Sequence, residues 1–211
     1  MNAALSRSLV KAVKQGRIEM IYLVGGAPRT GKSILGQQVA VTLKSSWLST
    51  DVLRDILTVK KDEGPKVGWS PGSATIAANA EWFFPYLERF IWGVSSLAEH
   101  YVIEGVHFLP AQVAQLATQY QIRAIFLGYS QMTLAHFDQF PGRSQGYASL
   151  PEAVRGQLAQ NVPLWSEFIR QECERFGYRY IDTSNDFAAR LQEAEAVLTV
   201  SPVPEGLDRY R

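Results

Sequence analysis

The chain of 211 residues holds one cysteine, Cys173, and three histidines, His100, His107 and His136. A single thiol excludes an internal disulfide framework and any multi-cysteine zinc site. Three scattered imidazoles point to no metal cluster. Neither sign of charge is in excess, with 21 basic and 20 acidic side chains, so a general grip on nucleic acid is not expected. No apolar run approaches the roughly 18 residues that a membrane-spanning helix needs. Residues 1–15 set Arg7, Lys11 and Lys14 among Leu5, Leu9, Val10 and Val13. That is the spacing of a short amphipathic helix, not of a charged head leading into a secretory apolar stretch. The resulting expectation is a cytoplasmic protein with no membrane partner.

Hydrophobic residues make up 46% of the chain, enough for a substantial core without staples. Short apolar runs at 18–24, 46–50, 101–104, 122–127 and 178–181 read as strands, and longer helical patterns separate them. Strands alternating with helices predict an α/β fold with a parallel, doubly wound sheet, whose ligands bind at the carboxyl ends of the strands. Residues 60–75 hold Gly64, Pro65, Gly68, Pro71 and Gly72 and read as a loop. A helix dense in aromatics follows at 81–92. Residues 139–150 read as a second, mobile loop, and Pro163 predicts either two helices or one kinked helix over 151–176. The tail, 201–211, carries no periodicity and is expected to fray. The whole reads as one domain, with an acceptor-binding insertion at 52–100 and a lid with its following helices at 136–176.

The segment Gly26-Ala27-Pro28-Arg29-Thr30-Gly31-Lys32-Ser33 satisfies G-x-x-x-x-G-K-[ST], the phosphate-binding P-loop. Glycines let the backbone wrap a phosphate with its N–H groups pointing inward. The helix beginning near Lys32, and running through Ile34, adds its positive N-terminal end. Lys32 can reach terminal phosphates and the Ser33 hydroxyl can serve Mg²⁺. Chance produces such a match in roughly one chain of this length in a hundred, and here a strand enters the loop and an amphipathic helix leaves it.

Further motifs suggest what is done with the phosphate. Ser49-Thr50-Asp51 closes the second strand and Arg54 follows one helical turn later. A carboxylate there can orient or deprotonate an acceptor hydroxyl, and an arginine beside it can clamp an anionic group. The alternative is a helix-capping Asp beside a solvated Arg. Ile103-Glu104-Gly105-Val106-His107 runs apolar residues into a carboxylate at a strand end, the Walker B arrangement that holds Mg²⁺ directly or through water. Gly105 permits a sharp turn, which would face His107 toward the cleft. Arg143, in the second loop, and Arg155 are candidates to close over the transferring phosphoryl group, with Arg170 a weaker one. The aromatic helix reads as core, and Cys173 as structural.

On these residues the chain resembles the P-loop small-molecule kinases, the group of adenylate, shikimate and gluconate kinases, and within it the 2-phosphoglycerate kinase-like proteins. The resemblance rests on Gly26 to Ser33, on S-T-D-x-x-R ending at Arg54, and on I-E-G-V-H ending at His107. It implies five parallel strands in the order 2-3-1-4-5, ATP as donor, Mg²⁺ held by Ser33 and Glu104, and a small-molecule acceptor near Asp51, Arg54, Glu104, Gly105 and His107. It also places Ser184 and Asn185, after the last strand, near the adenine. The first lid position after strand four holds Gly128-Tyr129-Ser130-Gln131, without arginine. The leading expectation is an ATP- and Mg²⁺-dependent phosphotransferase acting on a hydroxyl, as a monomer or homodimer. The alternatives are a zeta-toxin-like nucleotide-sugar kinase, and a nucleotide-binding switch or adaptor that hydrolyses ATP slowly.

Overall fold

Burial on both faces makes a central strand read as an unbroken apolar run, and the five expected strands pair into one sheet. The computed structural model describes residues 20–59, 72–97, 99–140 and 149–200. Its strands are β1 (Ile21–Gly26), β2 (Ser46–Ser49), β3 (Tyr101–Glu104), β4 (Ile122–Gly128) and β5 (Arg179–Asp182). All neighbouring pairs are parallel, in the order β2-β3-β1-β4-β5, as the resemblance implies. Seven helices are described: α1 (Lys32–Leu43), α2 (Thr50–Leu57), α3 (Ser73–Val94), α4 (Pro110–Ala117), α5 (Leu134–Gln139), α6 (Glu152–Phe176) and α7 (Phe187–Thr199). Among the described residues no helix is long and apolar enough to cross a membrane.

The two-residue period of the strands divides the core. Ile21, Leu23, Ile103 and Phe126 point to one face, where α3, α4 and α6 cover them with Phe83, Leu87, Leu116, Trp165 and Ile169. Tyr22, Val24, Val102, Ile125 and Leu127 point to the other, under Leu35 and Val39 of α1 and Leu191 and Leu198 of α7. A smaller cluster joins Phe137 of α5 to Leu158 and Val162 of α6.

One helix extends beyond the sequence expectation. The aromatic helix begins at Ser73 rather than 81, because the segment 74–80 is rich in alanine, the strongest helix former. Of its aromatics Phe83 is fully buried, whereas Tyr86 and Trp92 are exposed. Residues 152–176 form one helix that continues through Pro163. Proline in a helix interior costs roughly 3 kcal/mol, and the buried Leu158, Val162, Trp165 and Ile169 around it each return about 1.5–3 kcal/mol. The amphipathic segment 1–15, most of both expected loops, Arg143 and the tail 201–211 lie outside the described residues.

Candidate active site

Strands β1, β2 and β3 end at one level. Ser49 pairs in register with Glu104, and Glu104 with Val24, so the chain segments that leave these strands converge. The phosphate loop leaves β1 through Gly26, whose φ is +128° and whose missing Cβ would overlap the Leu127 carbonyl. Arg29 also takes a positive φ of 66°, and its guanidinium lies 5.0 Å from the centre of the Phe137 ring, a cation–π contact that ties the loop to α5. Lys32 Nζ donates to Ala27 O at 2.6 Å and Thr30 Oγ1 to the same carbonyl at 2.9 Å. Ala27 N–H donates to Leu127 O at 3.0 Å. Pro28, Gly31 and Ile34 complete the turn into α1, with Ile34 exposed.

Lys32 and Glu104 are both buried, 7% and 2% exposed. Burial lowers the ammonium pKa, and Glu104 and then Asp51 oppose that effect. Burial raises the carboxyl pKa, and Lys32 and a hydrogen bond from Ser49 oppose it. Each charge therefore favours the other against the loss of water. Ser33 Oγ donates to Glu104 Oε1 at 3.1 Å. A hydroxyl and a carboxylate so placed fit Mg²⁺, which takes oxygen ligands and completes its shell with water and substrate phosphates. Among the described residues no group of three or more His, Cys, Asp or Glu could hold a metal ion.

Beyond Glu104 the chain passes Gly105, where any Cβ would collide with Thr50 Oγ1. That close approach brings His107 onto α2. His107 Nδ1 lies 2.9 Å from Thr50 Oγ1 and 3.4 Å from Asp51 Oδ1, and its ring sits 5.1 Å from that of Phe83. Burial, partly opposed by Asp51 and reinforced by Arg54 and Lys32, moves its pKa from 6.5 to about 4. The imidazole is therefore neutral at pH 7, and its 3.4 Å approach to Asp51 is not an ion pair in that state. A hydroxyl and a carboxylate facing the same nitrogen are best met by a proton on Nδ1. Asp51 is exposed, whereas Arg54 is half-buried and 3.7 Å from the exposed Asp55.

Lys32, Ser33, Asp51, Arg54, Glu104, Gly105 and His107 thus stand together at the carboxyl end of the sheet. The sequence reading missed Ser49, Thr50 and Thr183 in their supporting roles. Thr183 is wholly buried and its Oγ1 donates to Gly128 O at 2.9 Å and to Thr30 O at 3.2 Å. Small hydroxyl residues at strand ends were the only signal. Ser184 lies in the same loop. Its N–H and hydroxyl donate to Asp182 Oδ1 at 2.9 and 2.5 Å, and its Oγ accepts from Gln131 N–H at 3.1 Å. Asn185 is exposed, on a shallow cavity of about 300 Å³ with Arg179, Asp182 and Glu193. That cavity opens at the edge strand and includes no phosphate-loop side chain. Arg155 is paired with Asp138 at 2.9 Å, and Arg170 lies on the surface between Glu167 and Glu174. Cys173 is buried, with its thiol pushed up to about 12 by burial.

The fold matches known structures. A gluconokinase from Sinorhizobium meliloti 1021 superposes with a TM-score of 0.52 over 87% of this chain and 93% of that one, at 14% identity. A shikimate kinase from Bacteroides thetaiotaomicron gives 0.47 over 86% and 99%, at 12% identity. No protein-family model matches the chain, and no curated protein matches it in sequence. The fold is that of the P-loop small-molecule kinases.

Proposed function

We propose that the protein is an ATP- and Mg²⁺-dependent phosphotransferase acting on a hydroxyl of a small molecule. The observation that carries this reading is the meeting, at one place, of Lys32 and Ser33 of the phosphate loop with the buried Glu104 and His107 and the exposed Asp51. Lys32 and the loop amides bind the β- and γ-phosphates, which relieves a buried ammonium whose pKa burial has lowered. Ser33 and Glu104 would hold Mg²⁺, which would supply charge neutralisation to the phosphates. Asp51 accepts the proton of the acceptor hydroxyl as its oxygen bonds to the γ-phosphorus and the bond to ADP breaks. Neutral His107 fixes the Asp51 carboxylate, and Arg54 grips the acceptor. Residues 52–100 form the acceptor side. Arg143 or Arg155 closes the site, and Ser184 and Asn185 flank the adenine.

A thermal-shift titration with ATP and a non-hydrolysable analogue, with and without Mg²⁺, tests the reading. A ligand at 100 times its dissociation constant stabilises by about 2.7 kcal/mol. The expected result is a Mg²⁺-dependent shift that disappears in Lys32→Ala, together with a fall in phosphoryl transfer on the order of a hundredfold or more. An equal shift in Lys32→Ala, or none in the wild type, overturns the assignment.

A further inference from the structure

Arg29 stands in the middle of the phosphate loop with a backbone φ of +66°. That left-handed conformation is uncommon for a residue with a Cβ. Glycine would meet the same turn without strain, and strained residues of this kind cluster at ligand sites. What an arginine adds here is a second cation. Burial lowers the Lys32 pKa, and the Arg29 charge adds to that effect, so two like charges stand close together in the loop. Their repulsion is relieved when a polyanion arrives. The segment Gly128 to Gln131, where β4 ends, contains no arginine.

The guanidinium is held from outside the loop. It lies 5.0 Å from the centre of the Phe137 ring. That ring is itself fixed, 1% exposed in the small core shared by α5 and α6. A ring face attracts a cation without neutralising it. The next residue of α5 has the other chemistry, since the Asp138 carboxylate pairs with Arg155 at 2.9 Å. A guanidinium seated on a ring can still direct its N–H fork at phosphate oxygens. Seating it beforehand also reduces the entropy lost when a long side chain is ordered by a ligand.

We propose that Phe137 is a positioning residue for nucleotide binding, seating the Arg29 guanidinium as a second cation, beside Lys32, for the triphosphate. The inference rests on the kinase reading above and deepens it. It adds to the phosphate site a residue of α5 that acts only through Arg29.

The test measures the Kd for a non-hydrolysable ATP analogue with Mg²⁺ at two ionic strengths. The proteins are wild type, Arg29→Gln, Phe137→Met and the double variant. Glutamine removes the charge, and methionine fills much of the ring's volume without its face. Arg29→Gln is expected to raise Kd on the order of tenfold and to weaken its salt dependence. Phe137→Met is expected to raise Kd roughly twofold to fivefold where Arg29 is present, and not at all in the Arg29→Gln background. A ring that merely filled the core would not show that coupling. An unchanged Kd in Arg29→Gln overturns the inference and leaves the kinase reading standing. So does an equal rise from Phe137→Met in both backgrounds, or a Phe137→Met protein that does not fold, either of which marks the ring as structural. Failure of wild type to bind the analogue removes the kinase reading itself, and the inference with it.

Discussion

His107 is held with Nδ1 between Thr50 Oγ1 and Asp51 Oδ1 while its ring lies against Phe83. Its side chain is 5% exposed, so the cost of charging it falls on the fold. The unfolded chain takes up the imidazole proton at its ordinary pKa of 6.5, and the folded protein only at about 4. Between these values the unfolded state binds more protons, so this group makes stability rise with pH. Its contribution is complete above pH 6.5 and is lost as pH falls through 4, amounting to roughly 3 kcal/mol. Glu104 acts in the opposite sense, because burial raises its pKa and the folded state keeps that proton longer. Subtracting a variant isolates the histidine. His107→Asn keeps a polar group near the position of Nδ1 and cannot titrate. Urea unfolding of both proteins from pH 7.5 to pH 4 is expected to show the stability difference moving in favour of the variant by up to roughly 3 kcal/mol. A difference that stays constant with pH would mean that His107 titrates alike in both states. The residue scale is also where the sequence was least legible. Gly26, Lys32, Ser33, Asp51 and Glu104 declare themselves by motif. Thr50 does not, because a hydroxyl at the start of a helix gains its meaning only from the neighbour that packing brings to it.

At the scale of elements the strands were legible to within a few residues, because an apolar run bounded by polar turns has few other ways to fold. Helix α6 was less so. Local propensity opposes Pro163, and only the buried face around it, contributed by residues distant in sequence, decides that α6 continues. Connections between elements were invisible for the same reason. Thr183 joins three of them, since its hydroxyl donates to the ends of β4 and the phosphate loop while its own N–H donates to Gly128 O at 2.9 Å. Thr183→Val keeps the shape and the N–H bond to Gly128 O, but takes the hydroxyl donor from the Thr30 carbonyl, at a cost of about 1–3 kcal/mol. A domain of this size then loses roughly 2–4 °C of Tm per kcal/mol. Because that carbonyl belongs to the phosphate loop, the affinity for an ATP analogue is expected to fall as well, whereas Thr183→Ser retains both properties. Equal behaviour of the valine and serine variants in the thermal-shift titration would remove the hydroxyl from this role.

For the whole molecule, the sheet order followed from resemblance to a family, since strand order is set by crossovers that leave no local trace in composition. What the alternation of Leu23 with Val24, and of Phe126 with Leu127, does dictate is that both helical layers share one set of strands. Neither layer can then open without exposing the sheet that the other covers, and the two are expected to unfold together. Trp165 reports on one face of the sheet and Trp47 on the other, which makes the coupling measurable by fluorine NMR of protein labelled with 5-fluorotryptophan. Urea midpoints read at the two positions are expected to coincide. Phe126→Ala is the sharper case. It removes a fully buried ring from the Trp165 face alone, costing about 3–5 kcal/mol. If the strands couple the layers, the Trp47 midpoint falls by as much as the Trp165 midpoint. A Trp47 midpoint that stays in place would show that α1, α7 and their half of the core hold the phosphate loop independently of the acceptor side.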